Sequence, residues 1–478
     1  MKEELGFSSD HSVVEHVAYF DPASDAVPNH GMGICCYSFS DTMYTLHYRG
    51  GIPEVHEVDR KTFDKMAALP HCDHFYIRPE WCDIQKSSGK LDLPPIWEWT
   101  LEAAEKYKKG WSFRIMPSSP QSLHASGIPE FLKEKIKLVP YDPGANRPGP
   151  KTKYYPVYDE EYIKRWTEML YLLADKYDKH PLLEFVDISG FGFWGEWHHG
   201  SQGRLNPQLL NRKHVESVTK KLVDNHLDAF VDTHSVIGVL PGGMDDLFSY
   251  ALDRGVGMRR DSFCPDYTAW EYRMSTNVKK PGAIYAYEPG VFPDAFHSES
   301  EAPEISYNKI FQRVLDIGSS YIGLGWNPWH AIMTHEHFPD VLKRTASKVG
   351  YRLRPAIISA KRIAAREKKW LTVGLINDGV AAPSGSITLK LTLPGDIIVE
   401  KKLEPGFPDP GKLHMIDVAI PEDFSAFGDG NSCTLTASLE MGKKIFPVRW
   451  AVEASQAEDP DRKVLRIPLP YAFDRNKK

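Results

Sequence analysis

Cysteine is scarce in this sequence: six in 478 residues, at positions 35, 36, 72, 82, 264 and 433. There is no C-x-x-C pair and no zinc-ribbon spacing. Neighbouring Cys35 and Cys36 cannot pair with each other without strain. The set reads as reduced, mostly buried thiols, which excludes a disulfide scaffold. An excess of positive charge is also missing. Lys plus Arg is 58 against 64 Asp plus Glu, a net charge of −6. That excludes a basic nucleic-acid binder and gives no reason to expect an anionic membrane surface as partner. No uncharged apolar run approaches the ~20 residues of a spanning helix. No strand end carries G-x-G-x-x-G or a Walker loop, so nothing calls for a nucleotide or any other cofactor. The opening MKEELGFSSD lacks a basic stretch followed by an apolar one. The expectation is a cytoplasmic protein, or a secreted or periplasmic one if a leader has been removed.

Aromatic residues are plentiful, at 12%, with 12 Trp, 22 Tyr and 22 Phe. They fit a large core or a cleft in which flat rings cover sugar faces. Eight short strands are predicted before residue 350: 31–39, 74–81, 110–117, 182–195, 229–236, 255–263, 282–290 and 320–327. Most are nearly continuous in hydrophobicity, as in a fully covered parallel sheet. Amphipathic helical patterns fill the gaps. Over 159–180, Ile163, Trp166, Met169, Leu170, Leu173 and Ala174 share one stripe. Eight strand-helix units predict an α/β fold, a (β/α)8 TIM barrel over residues 1–350. The Pro-, Gly- and Ser-rich excursion 118–158 is expected to build one wall of its cleft. Beyond 350, alternating strands with Gly, Pro, Asp and Asn turns predict a C-terminal antiparallel β-sandwich over 351–478, with a structural role.

Reacting groups of such barrels sit where strands end. Those ends supply Arg78, Glu80 and Trp81, then Trp194, Glu196, Trp197, His198 and His199, then Asp232 and His234. Arg259, Arg260 and Asp261 follow, with Tyr287 and Glu288, then Trp326, Asn327 and Trp329. Glu196 and Glu288, on the fourth and seventh strands, face each other. Two opposed carboxyl groups are what glycoside cleavage requires: one protonates the leaving oxygen, the other attacks or activates water. Trp194 and Trp197 give Glu196 an apolar setting that raises its pKa and suits the acid. Arg78 or Arg260 is expected to keep Glu288 ionised. The candidate catalytic residues are Glu196 and Glu288. The candidate substrate-binding residues are Arg78, Trp81, Trp194, Trp197, His198, His234, Arg260, Asp261, Tyr287 and Trp326. No metal ligand set is assigned. His198, His199, Asp232 and His234 are of the right types but lack H-E-x-x-H spacing.

Three segments carry a family resemblance. IRPEWCDIQKSSGKLD (77–92) resembles the second-strand signature of clan A glycoside hydrolases, with Gln85 where Glu is common. SGIPEFL (126–132) is similar to a Pro-x-Trp-Leu segment after the third strand of β-galactosidase-like barrels, with Phe131 for the Trp. Residues 158–189 resemble the helix and fourth strand of the same group. The nearest likeness is to bacterial β-galactosidase-like barrels that pair a W-G-E-W-H motif with a β-sandwich, over roughly residues 30–330. The resemblance implies a retaining enzyme with Glu196 as acid/base, Glu288 as nucleophile and Trp326 as a sugar platform. Two departures stand out. Gly195 replaces the Asn that usually precedes the acid/base. The sixth strand lacks the usual Tyr or His, so Arg260 or Asp261 would hold Glu288.

The sequence thus predicts a β-glycoside hydrolase of the β-galactosidase type, needing no cofactor, with carbohydrate as its partner. A non-catalytic carbohydrate-binding barrel is the second reading. A metal-dependent hydrolase using the histidines is the third. Oligomeric state is not specified.

Overall fold

In the computed structural model, the structure describes residues 12–40, 44–45, 54–55, 58–144, 147–239, 245–263, 280–289, 303–363, 368–425 and 430–469. Eight parallel strands close into a barrel: Gly33–Ser40, His74–Arg78, Gly110–Phe113, Leu183–Ile188, His234–Gly238, Gly257–Phe263, Tyr285–Pro289 and Tyr321–Gly323. They hydrogen-bond in sequence order and the eighth pairs with the first, Tyr321 opposite Gly33. All eight expected strands are present. The fourth ends early: it stops at Ile188 instead of running to 195. Cys264 lies outside the described residues.

The strands form a barrel because helices cover their outer faces. The clearest is Glu160–Tyr177, capped by the Asp159 side chain accepting from Tyr162 N–H. It buries Tyr162, Trp166, Met169, Leu170, Leu173, Ala174 and Tyr177. Burying each large apolar side chain contributes about 1.5–3 kcal/mol. Trp166 rests on Gly190 just past the fourth strand, where a Cβ would come within 2.8 Å of the indole. Small backbone there and a large ring on the helix are two halves of one packing solution.

The C-terminal region is a two-sheet sandwich. One sheet orders Ser12–Tyr19, Leu353–Ile363, Lys368–Asn377 and Leu413–Ile420. The other holds Ile397–Lys402, Ser386–Leu393, Ser432–Met441 and Lys444–Pro447, with Leu465–Pro468 also on Ser432–Met441. The first strand of the chain therefore belongs to the sandwich, antiparallel to Leu353–Ile363. The sandwich packs under the N-terminal end of the barrel. Lys444 Nζ donates to Leu183 O at 2.6 Å and Thr233 Oγ1 at 2.8 Å. Lys443 pairs with Asp232 at 2.6 Å, and His30 stacks on Phe446. This closes one mouth of the barrel and leaves the C-terminal mouth for chemistry. Among the described residues no helix is long and apolar enough to cross a membrane.

Candidate active site

Side chains alternate along a strand, so every second residue points into the barrel. Tyr37, Tyr76, Arg78, Arg114, Asp187, Arg259 and Glu288 take the inner positions and meet there. Arg259 is the hub. Its Nε donates to Asp187 Oδ2 at 2.6 Å. Its Nη2 lies 3.1 Å from Glu196 Oε1, and its Nη1 lies 3.4 Å from Glu288 Oε2 and 3.9 Å from Asp261 Oδ1. Arg114 reaches Glu196 Oε1 at 2.9 Å and Asp187 Oδ2 at 3.4 Å. Arg78 approaches Glu196 Oε1 at 4.0 Å and lies over the Tyr37 ring. Tyr76 donates to Asp187 Oδ2 at 2.6 Å.

Glu196 reaches this cluster from a loop. Beyond Ile188 the backbone turns through positive φ at Gly190, Gly192, Trp194, Gly195 and Trp197. Two tryptophans in the left-handed region carry strain of order 1–3 kcal/mol each, held only by surrounding structure. The holding bonds are Trp194 N–H to Ser118 O at 2.8 Å, Phe193 N–H to His198 O at 2.7 Å and Trp197 N–H to Phe191 O at 3.0 Å. Gly195 has φ +73°, and a Cβ there would lie 2.8 Å from that of Ser189. The turn that buries Glu196 thus leaves no room for a Cβ at position 195 unless Ser189 moves.

The electrostatics of Glu196 overturn the apolar setting expected for it. Burial works to raise its pKa, but Arg114, His198, Arg259 and Arg78 outweigh it and hold the carboxyl well below the usual range. Asp261 is shifted the other way. Burial, with Glu196 and Glu288 beside it, pushes the Asp261 carboxyl well above the usual range against the pull of Arg259, and Asp261 hydrogen-bonds Glu196. The carboxyl groups of Asp187, Glu196, Asp261 and Glu288 thus share the guanidinium groups of Arg78, Arg114 and Arg259. Glu288 is 2% exposed. Its Oε2 accepts from Tyr37 O–H at 2.6 Å. Its Oε1 has no hydrogen-bond partner among the described residues.

Other expected residues divide. His198 is one-third exposed, with Nε2 at 3.8 Å from Glu196 Oε2 and its ring beside Trp194. Trp194 is half-buried at the same rim. Trp326 follows the eighth strand, half-buried beside the His330 ring. Trp197 is buried, stacked on Phe191.

Four expectations are corrected. Trp81 is fully buried in the outer layer, edge-on to Trp166 and Tyr162, with Nε1 donating to Gln85 Oε1 at 2.7 Å. His234 opens its strand instead of ending it, so it lies at the sandwich end of the barrel, where burial lowers its pKa to about 4. Asp232 is at that end too, so His198, His199, Asp232 and His234 do not converge. Arg260 points away from the inner face, and its guanidinium donates to the Asp261 carbonyl; Arg259 takes the expected role beside Glu288. Tyr287 belongs to the apolar layer between strands and helices.

Arg114, Asp187 and Tyr37 were not singled out in the sequence, and Arg259 was passed over for its neighbour. The available signal was a lone charge inside an apolar strand, as in SFRIM and FVDIS. A buried strand tolerates such a charge only when it is paired.

No family model and no curated protein matches the chain. Several solved structures are similar to it. The catalytic domain of β-amylase from Paenibacillus polymyxa is 9% identical, with TM-score 0.45 over 67% of this chain and 98% of that one. A GH5-4 broad specificity endoglucanase from an uncultured bacterium is 8% identical, with TM-score 0.41 over 67% and 96%. Endo-glycoceramidase II from Rhodococcus sp. is 10% identical, with TM-score 0.39 over 94% and 98%. Likeness this distant carries no functional argument, and the barrel rests on the strand pairing itself.

Proposed function

We propose that this protein is a retaining glycoside hydrolase acting on a β-linked glycoside. One observation carries the reading: a buried carboxylate from the loop after the fourth barrel strand and one from the seventh strand meet at a single guanidinium, that of Arg259, at the open mouth. Glu288 is the nucleophile. Tyr37 and Arg259 hold Oε2, while Oε1 is left to attack. The acid proton belongs to the Asp261–Glu196 pair. As Glu288 Oε1 bonds to the anomeric carbon, the glycosidic C–O bond breaks and the leaving oxygen takes that proton. Water then attacks the glycosyl ester, gives a proton back to the pair and frees Glu288. The three arginines keep the cluster fixed throughout, so little reorganisation accompanies the charge shift. The resemblance to β-galactosidase-like barrels makes β-galactosides the first substrates to try.

The test is nitrophenol release from aryl β-glycosides (galactoside, glucoside, mannoside, xyloside, fucoside, glucuronide), with the anomer of the first product read by NMR. Release with retention, lost in Glu288→Gln, is the expected result. A second reading, a carbohydrate-binding barrel without turnover, draws on the arginine clamp around Glu196. Sugar binding by calorimetry with no cleavage of any aryl glycoside or oligosaccharide would establish it and overturn the first.

A further inference from the structure

Beside the mouth of the barrel is a second cluster that the glycosidase reading does not use. Glu80 precedes the short helix Trp81–Ile84 at the end of the second strand, and Cys82 and Asp83 lie within that helix. His124 comes from the long excursion after the third strand. One donor atom from each of the four lies within 4.8 Å of all the others. Tetrahedral binding of an ion with bonds of ~2.0–2.3 Å needs only a small contraction of such a group. A thiol, an imidazole and two carboxylates are a mixed soft, borderline and hard donor set. That set suits zinc and its neighbours, not magnesium or calcium, which prefer oxygen alone.

The donors are already oriented. Asp83 Oδ2 accepts from Glu80 N–H at 2.9 Å, which leaves Oδ1 turned to His124 Nε2 at 3.1 Å. The Ser122 hydroxyl donates to Glu80 Oε2 and accepts from His124 N–H at 2.8 Å, so one side chain positions two of the four residues. Cys82 N–H donates to Gly127 O at 2.8 Å. Such outer contacts are what hold metal ligands in place. Lys86, Lys133 and Lys153 lie around the group, and Lys86 and Lys153 are occupied with the Cys82 and Ser122 carbonyls.

We propose that Glu80, Cys82, Asp83 and His124 form a binding site for a divalent zinc-class ion. The Cys82 thiol gives up its proton to solvent, and the ion takes the place of the contact between His124 and Asp83. The ion fastens the 118–128 segment to the end of the second strand, two residues beyond Arg78. The site is a structural clamp at the edge of the cleft and takes no part in bond cleavage.

Cobalt substitution tests this on the full chain. After chelator treatment, Co²⁺ is expected to give a near-ultraviolet sulfur-to-cobalt charge-transfer band and tetrahedral visible bands, both displaced by Zn²⁺. The bands should vanish in Cys82→Ser and persist in Cys264→Ser. If Cys82→Ser fails to fold, His124→Ala replaces it, since His124 is half-exposed. Zn²⁺ competition against a chromophoric chelator should then show at least ~10-fold weaker binding, the lower end of what losing even an outer partner of a ligand costs. No thiolate band in the wild type, bands unchanged in Cys82→Ser, or equal Zn²⁺ affinity in His124→Ala would each overturn the proposal.

Discussion

The two ends of the barrel each bury a glutamate in a polar layer, and they treat it in opposite ways. At the sandwich end, Glu184 accepts from His30 Nδ1 at 2.6 Å, from Gly31 N–H at 3.3 Å and from Tyr321 O–H, with His74 Nδ1 at 3.1 Å. Burial works to raise its pKa, but His30 and His74 outweigh it and hold the carboxyl below the usual range. Both oxygens are satisfied, and the second sheet closes the layer from outside. At the open end, Glu288 keeps one oxygen without a hydrogen-bond partner among the described residues, beside Asp261, whose carboxyl is pushed well above the usual range by burial and by its anionic neighbours. A completed network stabilises a fold; an open acceptor in a buried layer is what the proposed nucleophile of a glycosidase needs.

The comparison can be broken most directly at Glu288. Glu288→Gln keeps shape and loses charge; turnover should fall by roughly 10⁴-fold or more, the scale of losing a covalent nucleophile, with little change in unfolding free energy. At the other end, Glu184→Gln should do the reverse. Removing one partner of a buried ionic network costs about 3–5 kcal/mol in denaturant titration. The kcat of the folded fraction should stay near wild type, and comparable losses of turnover in both variants would dissolve the distinction.

Asp261→Asn sharpens the account of the proton. General-acid losses run to roughly 10²–10⁴-fold, and a drop near the lower figure is expected because Glu196 remains. The pH profile is the decisive readout. An acid must be protonated, so activity falls as pH rises through its pKa. Without Asp261 the remaining acid is Glu196, which the arginines hold low. The basic limb should therefore move to lower pH; an unmoved limb would remove Asp261 from the proton path.

The smallest effect concerns the layer outside the barrel. Burial lowers His226 to about 4 and His199 to about 3, from 6.5. The unfolded chain takes up these protons near pH 6.5 and the folded one does not. Stability contributed by the neutral forms is therefore present above pH 6.5 and lost as pH falls toward 4, by about 1–3 kcal/mol per residue. His226→Gln should flatten that slope in unfolding measured from pH 7 to 4.

Much of this was legible beforehand. The eight strands, the helix over 159–180 and the sandwich follow from hydrophobic period and turn chemistry, and the strand ends they define bring Glu196 and Glu288 to one mouth of the barrel. What escaped turned on parity and on strand ends. Arg259 and Arg260 are adjacent, and a one-residue shift exchanges the inner and outer face. The same step decides Tyr287. The aromatic, glycine-rich run 189–197 reads as continued strand by hydrophobicity, whereas its positive φ values make it a loop. Trp81 and His234 show that a position near a strand terminus does not reveal which end of the barrel, or which side of its wall, a residue occupies.

The pairing of Ser12–Tyr19 with Leu353–Ile363 bears on how the molecule is made. His16 and Ser359, 343 positions apart, share a hydrogen bond across that pair. During synthesis the first strand leaves the ribosome with no partner and waits while the whole barrel is translated. The sandwich cannot close until the last quarter of the chain arrives. A strand edge left open for that long is an invitation to mispairing. Loop-closure entropy grows only slowly with length, so the final join is cheap in free energy even though it comes late. The barrel is in effect an insertion in a sandwich, and a fragment stopping near residue 350 would carry an orphan strand at its front.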